Sequence, residues 1–239
     1  LERLGIDLCG DPHVQPGYAP AGWTNLVNHL RRHGVSDLEL TESGLATTTR
    51  NGRIIDRFRD RVVFPIIAAT GSGDLDPLGF VGRRNPHLED KDAGPKYLNT
   101  PETPLYKKSQ VLYGVDLARK EISRSQQAVI VEGYTDVMAA HLSGVGTAVA
   151  TCGTAFGVDH IKVLRRLLMD QDEFRGQVVF TFDGDAAGRK AALRAFNEDQ
   201  RFVSQTFVAI EPNGLDPCEL RLQSGPEAVR ELIARRVPL

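Results

Sequence analysis

Residues 128–134 read Ala-Val-Ile-Val-Glu-Gly-Tyr, and residues 177–185 read Gln-Val-Val-Phe-Thr-Phe-Asp-Gly-Asp. Each stretch is an apolar run rich in β-branched or aromatic residues that ends at an acidic residue and a glycine, which is typical of a buried strand leading into a turn. Residues 147–150 and 206–210 form two similar runs. Helical patterns follow over 135–142, 160–169, a segment ending near 196, and 227–235. This alternation predicts an α/β fold with a mostly parallel sheet flanked by helices.

The first half of the chain is less regular and predicts a mixed α+β subdomain. A turn at 17–22 precedes a helix over 23–32, and Asn51-Gly52 is a strong hairpin signal. Strands are expected at 62–69 and 78–81, and glycine and proline predict a surface segment over 85–104. The predicted domains are an N-terminal subdomain (1–125), a domain holding the acidic strand ends (126–212) and a truncated C-terminal helical segment (213–239).

Composition excludes several classes of protein. With 239 residues, 41% hydrophobic and 25% charged, the chain is neither disordered nor collagen-like. No apolar run reaches the ~20 residues of a membrane span, and no secretory leader is recognisable, so a cytoplasmic protein without membrane contact is expected. Cys9, Cys152 and Cys218 are far apart, which predicts free thiols and no zinc site. Because the chain starts at Leu1, we expect it to be a piece of a longer protein.

The charge is unevenly distributed along the chain. Residues 1–49 carry 3 basic and 6 acidic side chains, residues 50–124 carry 14 and 10, and residues 125–239 carry 12 and 15. The overall net charge of −2 argues against a protein that coats nucleic acid indiscriminately. The cationic middle segment is either a site for an anionic ligand or scatter among solvated charges.

Three carboxylates carry the candidate chemistry. Glu132 follows one predicted strand, and Asp183 and Asp185 follow another. If these strands are neighbours, the carboxylates converge at one sheet edge, where hard cations such as Mg²⁺ or Mn²⁺ would neutralise them. Taken singly, each has a structural explanation, since Asp-Gly is a common turn and Asp185 is a good helix N-cap. Asp216 is a weaker candidate, because Asp216-Pro217-Cys218-Glu219 is a complete helix-start signal.

Two motifs resemble the signatures of the Toprim domain, the metal-binding module shared by bacterial primases, type IA and II topoisomerases and some nucleases. They are Val131-Glu132-Gly133-Tyr134-Thr135-Asp136-Val137 and Phe182-Asp183-Gly184-Asp185-Ala186-Ala187-Gly188-Arg189. Three further segments, at 17–23, 57–66 and 96–103, narrow the resemblance to DnaG-type bacterial replicative primases. The family's Asp-Pro-Asp motif reads Asp216-Pro217-Cys218 here, which puts a metal-ligand role for Cys218 in doubt.

The resemblance implies a DNA-directed RNA polymerase core that makes short primers on single-stranded DNA by nucleotidyl transfer. It implies two or more Mg²⁺ or Mn²⁺ ions on Asp183 and Asp185, with Glu132 as third ligand or acid/base group and Asp216 as a further ligand. It also implies nucleotide or template binding by a set of polar residues: Arg57, Arg59, Arg83, Lys96, Asn99 and Lys108. Trp23 is expected to be a packing residue, and no base-stacking platform is evident among the aromatic residues.

The implied partners are nucleoside triphosphates, the single-stranded template, and a replicative helicase that binds through a C-terminal domain absent from this chain. A monomer acting at the replication fork is expected. The initiation sequence, primer length and nucleotide regulators do not follow from the sequence.

Three other functions remain open on the residues themselves. The same carboxylates would serve a metal-dependent nuclease or topoisomerase, although no segment marks the tyrosine nucleophile of a topoisomerase. A non-catalytic adaptor that only binds nucleic acid is a second alternative, but binding alone gives no reason for three acidic residues at the ends of two strands. A phosphate-accepting domain like that of response regulators would leave the cationic segment unexplained.

Overall fold

The structure, a computed structural model, describes residues 14–68, 76–86, 94–168, 176–182 and 205–239. Contacts divide these residues into two compact units, with the division between residues 107 and 108. We call the part before it the N-terminal unit and the part after it the C-terminal unit. The domain boundaries at 125/126 and 212/213 stay a sequence prediction.

An antiparallel four-stranded sheet forms one half of the N-terminal unit, in the order β1-β4-β5-β6. Its strands are β1 (Gly17–Ala19), β4 (Arg61–Ile67), β5 (Pro77–Arg84) and β6 (Tyr97–Asn99). β4 and β5 pair along their length, with Phe64 opposite Val81 in the buried layer. The strands predicted at 62–69 and 78–81 are therefore present, and the second is longer than its sequence pattern indicated.

The other half of the N-terminal unit is a small helical layer on a hairpin. It contains α1 (Asn25–Arg32), α2 (Asp37–Glu42), β2 (Ala46–Thr48) and β3 (Ile54–Asp56). Thr48 pairs with Ile54 across the turn at Asn51-Gly52, which confirms the predicted hairpin. Val27, Leu40 and Ala46 are buried together at the centre of this layer.

A six-stranded sheet organises the C-terminal unit, in the order β12-β11-β10-β8-β9-β7. Its strands are β7 (Leu112–Tyr113), β8 (Gln127–Val131), β9 (Ala148–Thr151), β10 (Gln177–Phe182), β11 (Gln205–Ile210) and β12 (Val237–Pro238). The four central strands are mutually parallel, and the short edge strands β7 and β12 run antiparallel. The mostly parallel α/β sheet predicted from the sequence is confirmed.

Four helices are described in the C-terminal unit: α3 (Val115–Ser125), α4 (Tyr134–Leu142), α5 (Val158–Leu167) and α6 (Pro217–Ala234). Apolar side chains of α3, α5 and the sheet are buried in one core, which includes Ile122, Ile130, Leu164 and Phe180. α6 is interrupted at Gly225, whose φ of +82° ends one helical segment before Pro226 starts the next. Among the described helices, none combines the length and apolarity that a membrane crossing would require.

Candidate active site and nucleic-acid interface

The carboxyl ends of β8 and β10 lie side by side. The two strands pair in parallel, with Val129 opposite Val179 and Ile130 opposite Phe180, so they end at the same sheet edge. Glu132 is exposed and follows β8 directly. Asp183 follows the last residue of β10, and both Asp183 and Asp185 lie outside the described residues. The strand adjacency on which the predicted convergence depends is therefore present.

A tight turn holds the backbone next to Glu132. Asp136, in the first turn of α4, is buried and accepts a 2.8 Å hydrogen bond from the Gly133 N–H. A Cβ atom on Gly133 would lie 2.7 Å from the same carboxylate oxygen, so only glycine permits this approach. Asp136 therefore fixes the start of α4 and, with it, the direction in which the chain leaves Glu132.

A second acidic segment follows β11, the strand on the other side of β10. Glu211 is buried and accepts hydrogen bonds from the backbone N–H groups of Asn213 and Leu215, at 2.7 and 2.9 Å. The loop then delivers Asp216, which accepts a 2.7 Å bond from Glu219 N–H as the N-cap of α6. The helix-start interpretation of Asp216 is confirmed, and one of its carboxylate oxygens is committed to the cap.

The acidic residues that follow these strands in sequence are oxygen donors, the kind that hard divalent cations prefer. They are Glu132 after β8, Asp183 and Asp185 after β10, and Asp216 after β11. Cys218 is buried in α6, consistent with the doubt about it as a ligand. Within the described ranges, no three His, Cys, Asp or Glu residues form a possible metal site.

Two predicted cationic residues of the N-terminal unit converge on one aromatic ring. Arg83 on β5 is paired with Tyr97 on β6, stacks its guanidinium 5.3 Å from the ring centroid and donates to the phenol oxygen. The Lys96 Nζ lies 6.0 Å from the same ring. The structure thus brings Arg83 and Lys96, both predicted to bind nucleotide or template, together on the Tyr97 ring.

Arg59 stacks on the indole of Trp23, with its guanidinium carbon 4.4 Å from the ring centroid. Trp23 is 60% exposed, so the prediction that it is a packing residue is wrong. Trp23 lies four positions before the buried Val27, so the two side chains would share one face of a continuous helix. However, α1 begins only at Asn25. Trp23 therefore lies outside the helical period, and its ring faces solvent and Arg59.

Asp56 fixes the backbone that carries this stacked pair. Its buried carboxylate accepts the N–H groups of Leu26 and Val27, both at 2.9 Å, in the first turn of α1. Its own N–H donates to the Trp23 carbonyl at 2.7 Å. A carboxylate at a helix N-terminus also interacts favourably with the helix dipole. Trp23 and Arg59 are thus attached to one rigid hairpin-helix junction.

Arg57 and Asn99, both predicted to bind nucleotide or template, contact each other. Arg57 Nε and Nη2 both donate to the Asn99 carbonyl, at 3.0 and 2.7 Å. Burial lowers the pKa of Arg57. Two of its three side-chain nitrogens therefore hold the end of β6, which sequence reasoning did not foresee.

Lys108 belongs to the C-terminal unit. It begins a 3-10 turn, Lys108–Gln110, and is half-buried. Its carbonyl accepts a hydrogen bond from the buried His160 of α5. The predicted cations thus form three groups: Arg57 and Arg59 near α1 and β6, Arg83 and Lys96 on Tyr97, and Lys108 on the C-terminal unit.

Sequence reasoning missed the aromatic members of the N-terminal surface. Tyr18 is 57% exposed, and its hydroxyl donates to Asp60; this hydrogen bond to an anion raises the pKa of the phenol. Tyr97 and Trp23 each carry a stacked cation. The available signal was the series of arginines at 57, 59 and 61, which leads into β4, since arginine commonly stacks on aromatic faces.

Comparison with known proteins covers both units. Residues 3–119 match the family described as "DNA primase catalytic core, N-terminal domain", and residues 126–209 match the family "Toprim domain". A DNA primase of Streptomyces coelicolor is 57% identical over 239 residues, which are all of this chain and 36% of that protein. The chain thus spans about a third of the length of the curated relatives it matches.

Two solved structures from Mycobacterium tuberculosis extend the comparison. The RNA polymerase domain of primase DnaG is 49% identical, with a TM-score of 0.90 and coverage of 100% of this chain and 75% of that one. The same domain in complex with a double-stranded DNA oligomer bearing a 6-nucleotide overhang has a TM-score of 0.88, 49% identity and coverage of 100% and 72%.

Fold and sheet edge together define a Toprim protein, with acidic residues placed after the parallel strands β8 and β10. The preceding residues 3–119, which include the described part of the N-terminal unit, match the N-terminal domain of the DNA primase catalytic core. The chain belongs to the DnaG-type bacterial primase family and comprises catalytic-core sequence of that family.

Proposed function

We propose that this chain is the part of a bacterial primase that synthesises short RNA primers on single-stranded DNA. The observation that carries the proposal is the parallel pairing of β8 with β10, because β8 ends directly before Glu132 and β10 ends directly before Asp183. Membership of the DnaG family gives this sheet edge its interpretation, because a fold alone does not define an activity.

The carboxylates would hold two or more Mg²⁺ or Mn²⁺ ions. We assign Asp183 and Asp185 as principal ligands, Glu132 as third ligand or acid/base group, and Asp216 as a further ligand. Bound divalent ions supply charge neutralisation at the attacking and leaving oxygens of phosphoryl transfer. The chain's own task is to orient these carboxylates, and the Gly133–Asp136 turn does so for Glu132.

The N-terminal unit would bind the polyanionic reactants. Trp23 and Arg59 offer one exposed ring and one planar cation, the combination that binds an unpaired base and its phosphate. Arg83 and Lys96 share the Tyr97 ring and add two cations. Arg57 and Asn99 would shape the end of β6 beside the nucleotide, and Lys108 would add a cation from the C-terminal unit.

The remaining partners follow from the family alone. We propose nucleoside triphosphates as substrates, a replicative helicase as partner through a C-terminal domain outside this chain, and a monomer acting in the cytoplasm at the replication fork. The DNA-bound mycobacterial relative supports the DNA partner.

Primer synthesis by the intact protein tests the catalytic assignment. Incorporation of labelled ribonucleotides on single-stranded DNA should fall at least ~100-fold in Asp183→Asn and in Asp185→Asn, because each loses a charged ligand. Asp76→Asn is the matched control, since it removes an exposed carboxylate of the N-terminal unit. Circular dichroism should match the parent in all three variants. Parental incorporation by either site variant would remove that residue from the mechanism.

The same assay separates synthesis from cleavage. A nuclease or topoisomerase using these carboxylates would shorten or nick a labelled DNA strand and incorporate no ribonucleotide. Strand cleavage without incorporation by the intact protein would contradict the primase proposal and favour a nuclease.

A further inference from the structure

His160 is a buried histidine that the proposed reaction does not use. Its side chain is 1% exposed, at the start of α5. The Gly157 N–H donates to His160 Nδ1 at 3.2 Å, and His160 Nε2 lies 3.0 Å from the Lys108 carbonyl oxygen. Since a carbonyl only accepts, Nε2 carries the proton and the ring is neutral. One imidazole thus connects the first turn of α5 to the 3-10 turn that starts at Lys108.

Aromatic stacking extends this connection to the strand that leads into the candidate metal site. The Phe156 ring stacks on His160 at a centroid distance of 5.5 Å and an interplanar angle of 21°. Phe156 also meets Phe180 of β10 edge-on, at 5.2 Å and 87°. Two residues after Phe180, β10 ends, and Asp183 follows. The Phe180–Phe156–His160 series therefore fixes the Lys108 turn relative to the body of that strand.

We propose that His160 is a positioning residue that holds Lys108 in place for the nucleic-acid template. This inference rests on the proposed function, in which Lys108 contacts the template. The physical reason is that the Lys108 backbone has this buried side-chain hydrogen bond at the start of a turn of only three residues. Without the bond, the turn loses a tether to α5, and ordering the lysine on binding costs more conformational entropy.

The neutral ring is the form that makes both bonds. Burial lowers the pKa of His160, although the Lys108 carbonyl and Asp159 oppose this effect. The charged neighbours on α5 compensate each other, because Lys162 pairs with Asp159 at 2.8 Å. A protonated ring would direct an Nδ1–H at the Gly157 N–H, two donors facing each other, and the start of α5 would lose its bond.

A double-mutant cycle on the intact protein tests the inference. Binding of fluorescently labelled single-stranded DNA would be measured by anisotropy for Lys108→Ala, His160→Ala, the double variant and His160→Gln. Lys108→Ala and His160→Ala should each raise Kd about fivefold, near the effect of one charged contact, and lower the salt slope by ~0.7. In the Lys108→Ala background, His160→Ala should change neither quantity further.

Two features separate positioning from general support of the fold. His160→Gln keeps an N–H donor near the position of Nε2, so its template Kd should lie near that of the parent. Urea unfolding of each variant records the loss of stability independently, and that loss should persist in the Lys108→Ala background while the Kd effect does not.

The outcomes distinguish this inference from the function on which it rests. If Lys108→Ala binds template as the parent does, the assignment of Lys108 fails, and this inference fails with it. If Lys108→Ala weakens binding but His160→Ala either leaves Kd unchanged or adds its full effect in the double variant, only the role of His160 is overturned.

Discussion

The carboxyl ends of β8, β10 and β11 in the C-terminal unit carry acidic residues, whereas the surface of the N-terminal unit carries arginine, lysine and aromatic rings. Each unit also has charged side chains that form hydrogen bonds with backbone groups of the same unit. Glu211 accepts two backbone N–H groups after β11. In the N-terminal unit, the buried Arg61 donates to the carbonyls of Gly82 and Pro95, and burial lowers its pKa.

This contrast distinguishes charged residues that stabilise the fold from charged residues that can bind a ligand. Charges such as Glu211 and Arg61 are buried and bonded to backbone, so they hold loops and strand ends. Glu132 and Trp23 are instead exposed, so a ligand can reach them, and the half-buried Arg59 is stacked on the Trp23 ring. We therefore expect substitutions at the acidic edge to act on chemistry and substitutions at the cationic surface to act on template binding.

The largest expected effect is at the acidic edge. Glu132→Gln keeps the shape of the side chain but removes its charge, so primer synthesis by the intact protein should fall at least ~100-fold. Single-stranded DNA affinity, measured by anisotropy without divalent ions, should stay within about twofold of the parent. If Glu132→Gln lost DNA affinity and synthesis to the same extent, the acidic edge would take part in template binding as well as in chemistry, which contradicts the separation stated above.

The next largest effect concerns the stacked pair. Trp23→Ala should raise the Kd for single-stranded DNA about 5- to 150-fold, because stacking of a base on an aromatic ring contributes ~1–3 kcal/mol. Trp23→Phe retains a ring and should recover much of the affinity. Equal affinities for parent and Trp23→Ala would show that this ring takes no part in binding.

Much of this arrangement was predictable because it depends on periodicity and on residues next to strand ends. The parallel strands and the Asn51-Gly52 hairpin follow from local patterns. The contact of Arg57 with the Asn99 carbonyl joins residues 42 apart in sequence, and no local pattern encodes it. The sequence predicted a helix over 23–32, but α1 begins only at Asn25, so Trp23 precedes the helix and its ring is not buried with Val27.

A smaller effect is expected from the titration of His160. Its pKa is lowered in the folded chain, mainly by burial, so below pH ~6.5 the unfolded chain takes up a proton that the folded chain resists. Stability is therefore full above that pH and falls by at most ~1.4 kcal/mol per pH unit until the folded pKa is reached. Urea unfolding between pH 5 and 8, taken as roughly the range in which histidine titrates, should reveal this slope, and His160→Gln should reduce it. An equal slope in both proteins would show that groups other than His160 cause the pH dependence of stability.

The smallest effect sharpens the description of the cationic surface. Lys96→Ala removes one point charge beside Tyr97, so template affinity should fall a few-fold at low salt and less at high salt. The slope of log affinity against log salt should decrease by ~0.7, the value for one single-strand phosphate contact. Lys162→Ala, on α5 and paired with Asp159, is the control and should leave the slope unchanged.

Titration of the intact protein with Mn²⁺, followed by the electron paramagnetic resonance signal of the free ion, tests most directly whether the acidic edge binds divalent cations. The parent and Glu42→Gln, which neutralises an exposed carboxylate at the end of α2, should deplete the free-ion signal equally. Glu132→Gln and Asp183→Asn should each bind Mn²⁺ at least ~10-fold more weakly. Parental Mn²⁺ affinity in both of these variants would contradict the account.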